Sequence, residues 1–372
     1  MKNILVMALA VTTIFSSCMK QDDIMPIEET KTVKLNINAG ILTKASENPL
    51  ATDAKTTISS LYVYFLDAAK DEGNILIGSK AITGGDLTLI QGVGLEITGV
   101  SSSAKYVYVV ANAAENGITA LPVSGTLATI KAKTVTMGSN STSDWTKALL
   151  SNSDKAGNGS IGPVTNGKAT ATIEVMPDLA RIEISSLRAI QSPVTAPDYN
   201  LKSYDLNGVY LNGYFPGFHI GGVANGPAET LLTDGGVLNG VADWAKDVYG
   251  TPLTGNTDYT AANGGATGDV WAYMLPAGTT PRIIFELGNV LYDAGGVGFQ
   301  PAVTTRYVTI KGFKSSGGTT SITNFERGKV YIVSAVNFTA KDTHETPNAT
   351  DIDVSVIVTV LTWEGINVDP EL

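Results

Sequence analysis

The end of this chain carries its longest strict alternation of apolar residues. Five branched aliphatic residues occupy every second position and share one face: Ile352, Val354, Val356, Val358 and Val360. Successive side chains of a strand point to opposite faces, so a period of two predicts an extended strand rather than a helix. Trp363 lies on the opposite face. A strand in this place can be an edge strand of its own domain or can pair with another chain, and the pattern leaves both open.

A second alternation lies near the start of the chain. Within Thr32–Ala39, four apolar residues alternate with polar ones: Val33, Leu35, Ile37 and Ala39. Similar runs recur through the chain, which contains 39 glycines and only 16% charged residues. That composition favours strands joined by turns over salt-bridged helices. We therefore predict a mostly antiparallel all-β protein with short helices at Ser143–Leu150 and Leu238–Val248, and a short strand at Leu87–Ile90.

The first seventeen residues have the pattern of an export signal. Lys2 precedes the apolar run Ile4–Ala10, and the small residues Ser16 and Ser17 come directly before Cys18. A basic start, a short apolar run and small residues before a cut define a secretory signal that is too short to span a bilayer. Cys18 is then either the acylated first residue of a lipoprotein or a leftover thiol of a secreted chain.

Length and apolar content suit two domains. The chain has 372 residues, of which 43% are hydrophobic, enough for more than one core. We predict a signal peptide at 1–17, a propeptide at 18–44, and two mostly-β domains at 45–176 and 177–372, with the last strand at 351–363. The boundary lies at Met176-Pro177, between two predicted strands. A basic residue, Lys44, sits in the polar loop after the first strand, where a protease could cut before Ala45.

The chemistry of catalysis is missing from this sequence. Cys18 is the only cysteine, so no disulfide framework exists, and a net charge of −10 argues against nucleic acid. The two histidines, His219 and His344, have no neighbours at the spacing of a metal site or of a nucleophile and base. We therefore predict no enzyme activity, no metal and no cofactor.

Eight segments, in this order and spacing, form a pattern that covers nearly the whole chain. They are Cys18, Thr32–Ala39, Lys44-Ala45, Leu61–Asp67, Leu179–Ile182, Trp271–Pro276, Phe325–Tyr331 and Val354–Trp363. Together they resemble the fimbrillins, the major and minor pilins of type V pili of gram-negative anaerobes.

This resemblance implies two β-sandwich domains with Greek-key-like, transthyretin-like topology and a mechanism of assembly. The subunit would reach the cell surface as an outer-membrane lipoprotein held through Cys18, and a trypsin-like protease would cut after Lys44. The first strand, Val33–Ala39, would leave, and the strand Ile352–Trp363 of another copy would replace it. The implied partners are other copies, accessory fimbrial subunits and the protease, and the implied role is adhesion and biofilm formation. Family members often carry arginine at the cut, whereas this chain has lysine.

Three alternatives concern the role of the subunit. Because the chain stops after the donor strand, we expect a shaft subunit rather than a tip. Without the cut, the protein would be an anchor or accessory subunit that keeps its first strand. A different class is a non-polymerising surface lipoprotein that binds glycans through exposed Trp145, Trp244 and Trp271.

Overall fold

The computed structural model describes residues 29–38, 57–69, 71–138, 147–191, 200–228, 238–261, 270–292, 303–315, 320–347 and 354–362. The strands of the first half are β1 (Thr30–Asn38), β2 (Leu61–Leu66), β3 (Ile75–Ile82), β4 (Leu95–Ser101), β5 (Tyr106–Ala111), β6 (Thr134–Thr136), β7 (Leu150–Asn152) and β8 (Lys168–Pro177). Two short helices accompany them, α1 (Gly84–Gln91) and α2 (Leu127–Lys131), with a 3-10 turn at Ala114–Asn116.

The second half contains sixteen strands within the described ranges. They are β9 (Leu179–Ile184), β10 (Ser186–Ala189), β11 (Leu201–Asn212), β12 (Gly217–His219), β13 (Ala224–Asn225), β14 (Lys246–Asn256), β15 (Asp258–Thr260), β16 (Trp271–Pro276), β17 (Gly278–Thr279), β18 (Arg282–Tyr292), β19 (Val303–Ser315), β20 (Ser321–Ile322), β21 (Asn324–Phe325), β22 (Lys329–Val333), β23 (Val336–Phe338) and β24 (Val354–Thr362). Short 3-10 turns lie at Leu238–Gly240, Asp243–Ala245 and Ala340–Asp342. The predicted all-β fold class is confirmed.

The first half is built on a seven-stranded sheet in the order β3-β2-β5-β7-β8-β1-β4. Strand β8 links its two parts, because its first seven residues pair with β1 and its last three pair with β7. Alternate side chains of β1, β4 and β8 are buried in the same core as those of β2 and β5. The two parts of the sheet therefore pack face to face around one apolar layer.

The second half is built on a nine-stranded sheet in which β24 has a comparable linking place. The main order is β14-β11-β18-β19-β24-β22-β9-β16, and β20 pairs with β19. Residues 354–358 of β24 pair with β19, and residues 359–362 pair with β22. The largest apolar core of the described chain lies within this half and includes Val356 and Val358.

The two halves share a third core and a small sheet. Strand β6 of the first half pairs with β12 of the second, and β13 completes this three-stranded sheet. Tyr64 and Val110 from the first half lie in one apolar cluster with Phe218, Met274 and Val330 from the second. This cluster exists because β2 and β5 are apolar on both faces, so one face packs within its own half and the other contacts the neighbouring half.

Three local predictions differ from the structure. Leu87–Ile90 lies in helix α1 rather than a strand. Leu238–Val248 forms two separate 3-10 turns and then enters β14, instead of one helix. Part of Ser143–Leu150 lies outside the described residues, and Leu150 opens β7. Short segments of this kind have too few residues to hold a helix by themselves, so their packing decides their conformation.

The turn at Gly222 allows a close approach to Asp178 and Arg327. Gly222 has φ +84°, and a Cβ there would lie 2.6 Å from the Asp178 carbonyl oxygen and 2.7 Å from Arg327 Cδ. Gly117 has a similar φ of +75°, with nothing within 4 Å of an added Cβ. The two positions therefore share the backbone conformation and differ only in the space around them.

We expect Gly222→Ala to lower the free energy of unfolding by about 1–3 kcal/mol more than Gly117→Ala does, because only Gly222→Ala also creates an overlap. Urea unfolding of both variants measures the difference. Equal losses in the two variants would contradict the close packing of this turn.

Candidate functional site

The first strand lies inside the sheet rather than at its edge. Thr32–Asn38 runs parallel to Lys168–Glu174 of β8, and Thr30–Leu35 runs antiparallel to β4. Val33, Leu35 and Ile37 are buried, with exposures of 0%, 0% and 2%. The strand therefore has hydrogen-bonded neighbours on both sides and one fully covered face.

Small side chains lie beside the buried residues of β1. Val33 is opposite Ala169, and Leu35 is opposite Ala171 on β8. On the other side, Val33 is opposite Ile97 and Leu35 is opposite Leu95 of β4. The seat of β1 is thus a channel with alanines along one side and larger aliphatic residues along the other.

Polar contacts fasten the start of β1. Lys31 Nζ donates to the carbonyl oxygens of Ser102 (3.1 Å) and Ala104 (2.5 Å). The Ser102 amide donates to the Glu29 carbonyl at 2.7 Å. Partial burial lowers the pKa of Lys31. These contacts connect the entry of β1 to the turn between β4 and β5.

An ion pair also links β8 and β4, the two strands that flank β1. Lys168 Nζ lies 2.6 Å from Glu96 Oε1, and both side chains are about half exposed. Lys168 is opposite Thr32 on one side of β1, and Glu96 is opposite Lys34 on the other. A surface ion pair of this kind contributes little to stability, so apolar burial and backbone pairing hold the strand.

The last strand is also parallel to one neighbour and antiparallel to the other. Ile310 to Ser315 of β19 pair in parallel with 354–358, and Lys329 to Ile332 of β22 pair antiparallel with 359–362. Val356 and Val358 are buried, with exposures of 3% and 0%, while Thr359 is exposed. In this structure the strand therefore completes its own sheet.

A buried carboxylate joins the two halves of the chain. Asp178, between β8 and β9, is fully buried and lies 2.8 Å from Arg327 Nη1. It also accepts hydrogen bonds from Ser151 Oγ at 2.5 Å and from the Gly221 amide at 2.9 Å. Arg327, on the turn before β22, donates further to Asp154 and to the Asn152 carbonyl. We refer to Ser151, Asp154, Asp178 and Arg327 as the clamp.

The charges of the clamp support each other. Burial raises the pKa of Asp178, against the opposing effect of the Arg327 charge. Burial alone would lower the pKa of Arg327, but the charges of Asp178 and Asp154 outweigh it and raise that pKa. Local sequence patterns give no sign that Asp178 and Arg327 meet across 149 positions of sequence.

The structure describes only part of the predicted site. Val33, Leu35, Ile37, Val356 and Val358 are buried, and Val354 and Val360 occupy strand positions of β24. Cys18, Ala39, Lys44, Ala45, Ile352 and Trp363 lie outside the described residues. Within one chain, β1 and β24 belong to different sheets.

The glycan-binding alternative requires exposed tryptophans, and the structure shows none where it describes these residues. Trp271 is completely buried against Phe285, with ring centroids 5.8 Å apart. Trp244 is half-buried and packs edge-on against Tyr214 at 4.7 Å. Burial of their large apolar surfaces in a core is energetically more favourable than exposure to solvent. Trp145 lies outside the described residues.

The histidines and carboxylates of the described chain form no cluster of three or more groups able to hold a metal ion. His219 and His344 are half-buried and contact threonines. None of the helices in the described ranges is long and apolar enough to cross a membrane.

These features define a two-part all-β fold with the first and last strands inserted into separate sheets, and this is a fimbrillin-like fold. A fimbrilin from Porphyromonas gingivalis W83 matches with a TM-score of 0.51 and 15% identity, over 92% of this chain and 100% of that one. A candidate cell adhesion protein from Bacteroides eggerthii matches with a TM-score of 0.49 and 14% identity, over 90% and 96% of the two chains. The tip fimbrial protein Mfa3 from P. gingivalis, truncated at its C-terminus, matches with a TM-score of 0.42 and 10% identity, over 90% and 100%.

The likeness is one of structure and not of sequence. No family model matches the sequence, and no curated protein matches it either. The solved structures named above are a fimbrilin, a candidate cell adhesion protein and a tip fimbrial protein. At such low identity the likeness establishes the fold, and the role of the chain has to be argued from its own residues.

We expect Arg327→Met to lower the free energy of unfolding by about 3–5 kcal/mol, because it leaves the Asp178 carboxylate buried without its cation. Arg188→Met is the matched control. Arg188 pairs with Asp258 at 2.6 Å, but both side chains are exposed, so its loss should cost at most about 1 kcal/mol. Urea unfolding followed by circular dichroism measures both losses.

A third variant separates lost charge pairing from lost packing. Adding Asp178→Asn to Arg327→Met removes the unpaired charge and should recover part of the lost stability. If Arg327→Met lowered the free energy of unfolding by no more than Arg188→Met does, the clamp would not stabilise the fold more than a surface ion pair.

Proposed function

We propose that this protein is a structural subunit of a fimbria, and that its copies join by exchange of a strand. The observation that carries the proposal is the match between β1 and β24. Each is nine residues long, each is parallel to one neighbour and antiparallel to the other, and each has alternate apolar side chains. A strand with the pattern of β24 therefore suits the seat of β1.

Loss of β1 would leave a groove that needs a new strand. Its departure uncovers the edges of β8 and β4, whose backbone groups then have no partners. It also removes Val33, Leu35 and Ile37 from the core, and each fully buried aliphatic side chain contributes about 1.5–3 kcal/mol. An open edge above an apolar channel is a template for strand addition.

The donor strand has to leave its own sheet first. Because β24 pairs with both β19 and β22, release costs its ladder hydrogen bonds and the burial of Val356 and Val358. Insertion into the groove of another copy restores interactions of the same kind. The exchange is therefore nearly balanced, and the irreversible removal of β1 gives assembly its direction.

Export and processing complete the proposed function. The chain would reach the outer membrane with lipid on Cys18, and a protease would cut between Lys44 and Ala45. The processed subunit would then belong to a cell-surface fimbria, together with other copies and accessory subunits, and would contribute to adhesion and biofilm formation. The fimbrial nature of similarly folded proteins supports this role.

The first experiment is to determine the N-terminal residue of protein sheared from the cell surface. We expect Ala45 in the fibre fraction. Lys44→Gln removes the basic residue that the protease requires, so it should leave a precursor that begins at lipid-modified Cys18 and does not enter fibres. Fibres whose subunits keep residues 18–44 would overturn removal of the first strand.

The second experiment locks β24 reversibly. Ile332 and Thr359 are opposite each other in the antiparallel pair of β22 and β24. Ile332→Cys with Thr359→Cys, in a chain without Cys18, should prevent polymerisation when oxidised and permit it after reduction. The stability of the oxidised monomer should be unchanged or higher, since the disulfide closes a loop.

The matched control is a disulfide away from both exchanging strands. Ser186 and Thr260 are opposite each other in the antiparallel pair of β10 and β15. Ser186→Cys with Thr260→Cys should polymerise equally well when oxidised and when reduced. Polymers formed by the oxidised β22–β24 variant would rule out β24 as the donor.

A further inference from the structure

A polar cleft lies at the junction of the two halves, and strand exchange makes no use of it. Its volume is about 620 Å³, within the range of ligand sites, which often occur between domains. Helix α2 with Lys131 forms one wall, and the loop after β7 forms the second. The turn His219–Val223 forms the third wall, and Tyr106 and Tyr108 of β5 contribute to the lining with Arg327.

Each described cation of the cleft has at least one carboxylate partner. Lys131 Nζ lies 2.7 Å from Asp71, Lys155 Nζ lies 3.0 Å from Glu174, and Arg327 is held by Asp154 and Asp178. Among the residues that the structure describes, no cation of the cleft is left without a carboxylate to select a phosphate, a sulfate or a carboxylate; Lys70 lies outside the described residues. The described lining therefore favours an uncharged ligand over an anionic one.

The same ion pairs are a source of strong, directional hydrogen bonds. The side chains of Asp71 and Asp154 are 64% and 77% exposed, and that of Lys131 is 38% exposed. Each has further lone pairs or N–H groups beyond its ion pair, and charged groups form stronger hydrogen bonds with hydroxyls than neutral groups do. Two carboxylates and an ammonium at one opening suit a ligand with several neighbouring hydroxyls.

Apolar surface is available beside these polar groups. Tyr106 is half-buried, and Asn152 fixes it by donating to its hydroxyl at 3.2 Å. Val223 is 65% exposed at the turn that bounds the cleft. A sugar ring presents C–H patches on its faces and hydroxyls around its edge, so it can contact Tyr106 or Val223 and the charged groups at the same time.

We propose that this cleft binds a short neutral oligosaccharide. Lys131, Asp71 and Asp154 hydrogen-bond its hydroxyls, while Tyr106 and Val223 contact the ring faces. None of the residues that line the cleft belongs to β1 or β24. The binding therefore does not rest on strand exchange, and it can be measured on a monomer.

The test uses the precursor from residue 18 onward with Cys18→Ser, which keeps its own first strand. The probes are an array of neutral oligosaccharides built from hexoses and N-acetylhexosamines, with sialylated and sulfated glycans and inorganic phosphate as comparisons. The best array ligand is then titrated by calorimetry. We expect neutral glycans to bind, and the anionic probes to gain nothing from their charge.

Two surface variants locate the binding. Lys131→Gln removes a charge-assisted donor and should weaken binding about tenfold or more. Val223→Glu replaces the apolar contact by a charge and should have a similar effect. Arg188→Gln is the control for the first, because it also breaks an exposed ion pair. Val248→Glu is the control for the second, because Val248 is 55% exposed on β14, outside the cleft.

Each outcome decides the proposal. Weaker binding in both cleft variants, with unchanged binding in both controls, supports it. Absence of neutral-glycan binding, preference for anionic probes, or equal losses in the controls overturns it. Cleft variants that stop fibre assembly while the monomer binds glycan normally would assign the cleft to a contact between subunits.

Discussion

The relative placement of the two halves depends on one buried carboxylate. Asp178 has no access to solvent, so its charge requires Arg327, Ser151 and the Gly221 amide at the same time. These partners come from β7, from a turn of the second half and from the turn before β22. A buried charge with one missing partner costs far more than a surface pair, so the clamp favours a single arrangement of the halves. The apolar cluster shared by both halves contributes buried apolar area, whereas the clamp specifies how the halves are placed relative to each other.

The two strands proposed to exchange stand on either side of this junction. Strand β8, which pairs with β1, ends at Pro177, and Asp178 follows it directly. Strand β22, which pairs with β24, begins two residues after Arg327. The clamp thus connects the neighbour of the first strand to the neighbour of the last. A subunit that gives one strand and receives another needs a rigid connection between the two places.

The sequence predicted the strands and buried faces that follow from the periodicity of apolar residues. The alternations around Val33 and Val356 identified two strands, and both apolar faces are buried where the structure describes them. The sequence could not predict which neighbours these strands take, because parallel pairing of β1 with β8 joins segments about 136 positions apart. The clamp was missed for the same reason, since Asp178 and Arg327 each have ordinary local surroundings. Exposure of Trp271 was a condition of the glycan-binding alternative, and it fails because both faces of β16 are covered.

The continuity of β8 and β9 has a mechanical consequence. In a fibre built by strand exchange, the inserted strand lies lengthwise along β8, and β8 passes through Pro177 and Asp178 into β9 of the second half. Tension along such a fibre loads the hydrogen bonds of the inserted strand in shear, so they have to break together rather than one after another. The load then crosses from one half to the other along a covalent backbone that Arg327 holds in place. In such a fibre the chain would transmit force through its backbone, and side-chain packing would only keep that backbone aligned.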